Sequence, residues 1–136
     1  MYRSAAAALI SFWSLLASAA DLQVVADTKL GLLKLDKASV SSEGKYTAAV
    51  LIYEFKDLQR LAAPANTVFN KRQDDVLVDC SNPMLGIHTS RFFEDAKLAN
   101  TLTRNLSEVK FNTPAPDTMA MTVFESICAT ASKAKP

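Results

Sequence analysis

Three side chains dominate the chemistry open to this chain: the thiols of Cys80 and Cys128 and the imidazole of His88. Two thiols can form a disulfide, help to hold a metal ion or act as a redox pair. A metal site asks for more ligands, and here there is one histidine and no second cysteine two to four residues from either thiol. No Cys-x-x-Cys motif is present. Two cysteines allow a single intramolecular pairing, so a structural disulfide between Cys80 and Cys128 is the expectation. In the chain-entropy account, closing so long a loop stabilises a fold by roughly 4 kcal/mol. His88 could serve as a general base, but no Gly-x-Ser-x-Gly, His-Glu-x-x-His or Cys partner accompanies it. It reads as a sheet-surface side chain. Asp74 and Asp75 are adjacent, and neighbours on a strand point to opposite faces, so they do not read as a catalytic pair. No catalytic, metal-binding or cofactor-binding residue is expected. Asn105-Leu106-Ser107 matches a glycosylation acceptor, which has meaning only in a eukaryote.

The first twenty residues set the compartment. Arg3 supplies a positive start, Ala5 to Ala17 is apolar but for Ser11 and Ser14, and Ala17-Ser18-Ala19-Ala20 offers small residues where a signal peptidase cuts. Residues 1–20 are therefore expected to be a secretory signal peptide, cleaved after Ala19 or Ala20. The apolar run is too short to span a bilayer, which needs about 20 residues. No cysteine follows the cleavage point closely, so a lipid-modified lipoprotein is not expected. Export into an oxidising compartment favours the disulfide. The expected location is periplasmic or secreted, with no membrane span after cleavage.

The chain has 136 residues, 15 basic and 14 acidic side chains, and a net charge of +1. That balance leaves no electrostatic footprint for nucleic acid. Its 49% hydrophobic content is that of one globular domain, expected over residues 21–136. Leu22–Ala26 reads as an edge strand and Leu30–Asp36 as a half-buried one. Ser41–Gly44 is a turn, and Lys45–Phe55, apolar on both faces, reads as a central strand that completes a hairpin. Lys56–Asn66 reads as a connection, Thr67–Asn70 as a short strand and Arg72–Asp75 as a charged turn. Val76–Cys80 and Ile87–Phe93 read as further strands, with Ser81-Asn82-Pro83 as a break between them. Residues 96–110 are ambiguous, because Leu98, Leu102 and Leu106 fit a helix. Thr113–Pro116 is extended, and Asp117 is placed to cap a terminal helix of about 12 residues through Met121, Phe124 or Val123, and Ile127 with Cys128, followed by a frayed tail from Ala129. The fold class expected is α+β: an antiparallel sheet with a C-terminal helix on one face, tied by the disulfide.

Several segments together resemble the surface-adhesin protein E family of proteobacterial envelope proteins. They are Asp36-Lys37-Ala38-Ser39-Val40, the glycine turn, a strand ending Tyr53-Glu54-Phe55-Lys56-Asp57-Leu58-Gln59, the pair Asp79-Cys80, and then Phe111, Pro116-Asp117-Thr118 and Cys128. Phe111 stands where the family usually has Trp, and Asp117 where it usually has Gly. The resemblance covers most of Leu30 to Cys128. It implies the same sheet-and-helix fold, and a protein that binds host matrix and serum proteins and dimerises.

Tyr53, Phe55, Phe92 and Phe93 all fall on expected strands. Those left exposed would mark a protein-binding face, since aromatics are enriched at interfaces. The leading expectation is thus a small, non-enzymatic, exported envelope module that binds a protein, either a host matrix or serum protein, another envelope protein, or a second copy of the chain. The alternatives are a periplasmic enzyme or enzyme inhibitor with a pocket near His88, and an envelope structural or stress component.

Overall fold

The computed structural model describes residues 21–134. The expected signal peptide lies outside the described residues. Six strands run β1 Leu22–Asp27, β2 Gly31–Glu43, β3 Tyr46–Arg60, β4 Val68–Asp79, β5 Met84–Glu94 and β6 Lys97–Thr103. They form one antiparallel sheet in sequence order, because every connection is short enough for the next strand to fold back on the last. A 3-10 turn, Leu106–Glu108, and one helix, α1 Met119–Ala134, complete the chain. The expected α+β architecture is the observed one.

Cross-strand register explains which face is covered. Leu35 sits opposite Leu51, Leu51 opposite Asp74, Asp74 opposite Ser90, and Ser90 opposite Leu102. The neighbouring rows are Ala49, Val76 and Ile87 on one side and Leu33, Tyr53, Arg72 and Phe92 on the other. Strand residues two apart share a face, so these rows make one surface, and α1 lies on it. Val123, Phe124 and Ile127 of the helix join Leu33, Leu35, Ala49, Leu51, Val76 and Val78 in the core. Cys128 meets Cys80, just past β4, in a disulfide with Cα atoms 5.9 Å apart.

The sheet is longer than its apolar segments suggest. Residues 56–60 continue β3, and residues 71–75 are the middle of β4 rather than a charged turn. Those charges sit in the sheet because each has a partner. Arg72 Nε donates to Asp74 Oδ1 at 2.8 Å, and Arg91 Nη1 donates to Asp75 Oδ2 at 2.9 Å. Residues 97–103 are β6, not helix. Leu98, Leu102 and Leu106 are 52%, 43% and 54% exposed, so their helical spacing marks no buried stripe. Where β2 slips register between Asp36 and Ser41, the Ser39 hydroxyl accepts the Val50 N–H at 2.8 Å and donates to the Asp36 carbonyl at 2.6 Å. It thereby replaces a missing rung of the ladder.

The helix begins one residue later than its expected cap. Asp117 adopts φ 61°, a left-handed conformation that glycine takes freely and aspartate tolerates. The chain turns there, and Thr118 caps instead: its hydroxyl accepts the Met121 N–H at 3.2 Å and donates to the Ala115 carbonyl at 2.7 Å. The helix also outruns the expected length, since residues 129–134 are helical and carry the strong helix former alanine at 129, 131 and 134. Before the helix, residues 109–111 cross β5 at Gly86. A Cβ there would lie 2.6 Å from Val109 Cγ1 and 3.0 Å from Phe111 Cδ1, so only glycine lets this strap lie flat. Phe111 then stacks on Tyr46, ring centroids 4.9 Å apart.

Ile127 is fully buried between helix and sheet. Ile127→Ala removes its side chain from that layer and is expected to lower unfolding stability by about 2–5 kcal/mol, measured by urea denaturation of the oxidised protein. A loss below 1 kcal/mol would contradict the docked helix.

Candidate functional site

Beyond the rows that α1 covers, the same face of the sheet carries an aromatic cluster. Tyr53 packs at the edge of the core and stacks on Phe55, two residues further along β3, with centroids 4.3 Å apart and planes at 15°. Phe55 meets the edge of Phe69 at 5.5 Å, and Phe69 meets Phe92 at 4.8 Å, both T-shaped. Such geometries suit the ring quadrupoles. Phe69 and Phe92 are buried, while Tyr53 and Phe55 keep part of each ring in solvent. Two hidden rings thus support two that are partly presented.

Polar groups fix this cluster on one side. Arg72 lies opposite both Tyr53 and Phe92, and its guanidinium carbon stands 5.7 Å from the Phe92 ring centroid. Asp74 Oδ1 accepts from Arg72 at 2.8 Å and from the Ser90 hydroxyl at 2.7 Å. The carboxylate is largely covered, and these two donors compensate its desolvation. The arginine remains about one-third exposed. On the other side, the Tyr53 and Thr28 hydroxyls are hydrogen-bonded at 2.9 Å. The arrangement presents flat apolar area, one phenol and one planar cation from a sheet, and Tyr, Phe and Arg are side-chain types enriched at protein interfaces.

The four aromatics singled out from the sequence do not share one surface. Tyr53, Phe55 and Phe92 belong to the cluster. Phe92, at 3% exposure, is its support and offers no surface. Phe93, next along β5, points to the opposite face, where Lys71 Nζ stands 4.8 Å from its ring centroid. Sequence reasoning missed Phe69 and Arg72. Phe69 sat in an expected short strand, and Arg72 in an expected turn. Continuing the two-residue alternation back from Val78 and Val76 through Asp74 would have placed Arg72 on their face; Phe69 falls out of that alternation and pairs only past the register slip between Glu54 and Gln59.

His88 is the extra residue of a bulge, between the pairs Asp75–Thr89 and Val76–Ile87. Its Nδ1 is 3.0 Å from the Thr89 hydroxyl. It borders a cleft of about 480 Å³ on the face away from the helix, with Ala48, Val50, Leu77 and Asp75 among the lining groups. Asp75 in that cleft is held by Arg91, and Asp74 faces the other way. No group of three or more His, Cys, Asp or Glu converges on a metal-sized point among the described residues. Asn105-Leu106-Ser107 enters the exposed 3-10 turn. The disulfide lies at a cleft of about 300 Å³ at the opposite end of β3 from the aromatics.

Asp79 anchors the disulfide end. Its Oδ1 accepts the backbone N–H groups of Ser81 and Asn82 at 3.0 and 3.1 Å, shaping the turn that carries Cys80. The Asn82 N–H is the main reason its carboxyl titrates below the ordinary value of 3.8; burial opposes this, and the Ser81 N–H, the Asn82 side chain and the Lys45 charge assist.

A small α+β domain, six antiparallel strands in meander order with one helix stapled across a face by a disulfide, is the class these features define. Its fold is that of Haemophilus influenzae protein E. The crystal structure of protein E from non-typeable H. influenzae matches with a TM-score of 0.56 at 12% identity, over 82% of this chain and 78% of that one. A second crystal form of the H. influenzae protein gives 0.55 at 11% identity, over 74% and 82%. No family model and no curated relative matches the sequence. At these identities the likeness is one of fold.

A carboxyl that titrates lower in the folded state stabilises the fold above its unfolded value and loses that contribution as pH falls through its folded value. The oxidised protein is therefore expected to lose stability below about pH 3.8, and Asp79→Asn to flatten that part of the profile. An identical acid profile in the variant, by urea titration at stepped pH, would remove Asp79 from this role.

Proposed function

We propose that this chain is an exported, non-enzymatic binding module of the bacterial cell envelope, and that it holds a partner protein against Tyr53, Phe55 and Arg72. The observation that carries the reading is the partly exposed Tyr53–Phe55 stack, backed by buried Phe69 and Phe92 and flanked by an arginine about one-third exposed. Interface hot spots favour Tyr and Arg, and rigid aromatic area loses little entropy on binding. The fold shared with H. influenzae protein E supports the same reading, as does the sequence resemblance to the surface-adhesin protein E family. The partner class is then a host matrix or serum protein or another envelope protein, with a second copy of the chain as a further candidate.

Export rests on the basic start, apolar run and small residues of positions 1–20. Processing after Ala19 or Ala20 leaves a chain whose first strand begins at Leu22. Both cysteines are used in the disulfide, which fits an oxidising compartment. No helix among the described residues is long and apolar enough to cross a membrane. An enzyme or inhibitor acting at His88 has less support. The nearby Asp75 is committed to Arg91, and the imidazole's hydrogen-bond partner is the hydroxyl of Thr89, a buried residue with no carboxylate beside it in that bond.

Biolayer interferometry against a panel of host matrix, serum and envelope proteins tests the proposal. The wild-type chain is expected to bind at least one. Tyr53→Ala and Phe55→Ala are each expected to weaken that binding about thirtyfold, the loss of roughly 2 kcal/mol that marks a hot-spot residue, while Phe93→Ala on the opposite face leaves it unchanged. Binding that survives both Tyr53→Ala and Phe55→Ala, or that is lost in Phe93→Ala alone, would place the interface elsewhere.

A further inference from the structure

The disulfide sits at the surface of the folded domain. Cys80 is exposed and Cys128 half-buried. The cleft of about 300 Å³ beside them is lined by Ser41 and Ser42 at the end of β2, by Gly44 of the β2–β3 turn and by Ala131 and Ser132 of α1. These are among the smallest side chains, so the approach to the sulfurs is left open where larger ones would close it. Lys45 also lines this cleft, and its ammonium would draw in an anionic thiolate. The bond is therefore unlike a staple buried in a core, which an external thiol reaches only after unfolding.

We propose that the Cys80–Cys128 bond is a thiol-exchange site open in the folded state, with Cys80 as the sulfur attacked. Exchange proceeds by attack of a thiolate on one sulfur of a disulfide. Here the incoming thiolate forms a new bond to Cys80 Sγ, and the Cys80–Cys128 bond breaks. Cys128 Sγ leaves with the electron pair and takes a proton from water. One thiol enters and one is released, so no separate oxidant or reductant is needed. The reactant class is a small anionic thiol, or the exposed thiolate of a partner protein. The product carries a mixed disulfide at Cys80 and a free thiol at Cys128 on the helix. The helix is then attached to the sheet by packing alone, and the apolar rows beneath it become conditional on that packing.

The test uses the oxidised chain, exported and purified without reductant. It is incubated with glutathione near pH 8 without denaturant, quenched with an alkylating agent and mapped by peptide mass spectrometry. Circular dichroism follows the fold in parallel. The expected result is glutathione on Cys80 and alkylation on Cys128, formed at a rate within about tenfold of that for the urea-unfolded chain. A bond that resists glutathione until urea is added would overturn the proposal. So would an adduct found mainly on Cys128.

Discussion

Between the end of β6 at Thr103 and the start of α1 at Met119, the chain leaves the sheet edge, straps across β5 and turns onto the opposite face. Along that path few backbone bonds tie it down; Leu85 and Asn112 pair, and Arg104 donates to the His88 carbonyl. What holds the helix in place is its own middle: Val123, Phe124 and Ile127 in the apolar layer, and one residue further the Cys128 sulfur bonded to Cys80. The bond closes a separation of 48 residues, for which the chain-entropy account gives roughly 4 kcal/mol. A domain of this size is typically stable by only about 5–15 kcal/mol. Covering one face of the sheet therefore depends on the staple and the three apolar side chains together.

The remaining architecture shows how a sheet with a modest core carries charge inside its strands. β4 runs Asn70-Lys71-Arg72-Gln73-Asp74-Asp75 before it turns apolar. Alternation sends Arg72 and Asp74 to one face and Asp75 to the other, and each finds a partner on the same or a neighbouring strand. No deeply buried side-chain polar atom among the described residues lacks a hydrogen bond. The polar middle of β4 thus separates two apolar regions. One is aliphatic and lies under the helix. The other is aromatic and lies partly open, and that separation is what leaves Tyr53 and Phe55 available for a partner.

Much of this was legible in the residues. Two cysteines after an export-type start implied their pairing. The two-faced apolar run of Lys45–Phe55 implied a central strand, and the three-to-four spacing of Met121, Phe124 and Ile127 implied a terminal helix against the sheet. What could not be read were the places where tertiary pairing overrides local pattern. Arg72-Gln73-Asp74-Asp75 is as polar as a turn, and ladder pairing with β3 and β5, with Asp74 held by Arg72 and Ser90 and Asp75 by Arg91, keeps it extended. Leu98, Leu102 and Leu106 repeat like a helix, yet the edge of β5 recruits the first two into β6 and leaves all three exposed. The Thr118 cap was hidden because Asp117 is the better capper by type, and its left-handed turn is set by the path from the strap. The aromatic cluster was half visible: strand membership of its rings could be read, but not the facing side of each, which depends on the slips in register near Glu54 and Phe92.

Amide hydrogen exchange, compared between the oxidised chain and a chain reduced and alkylated at both cysteines, tests most directly whether the bond keeps the helix on the sheet. The expected result is a loss of protection concentrated at 121–130 of the helix, while the β2–β3–β4 ladder stays protected. Equal protection of the helix in both forms would show that its docking does not rely on the Cys80–Cys128 bond.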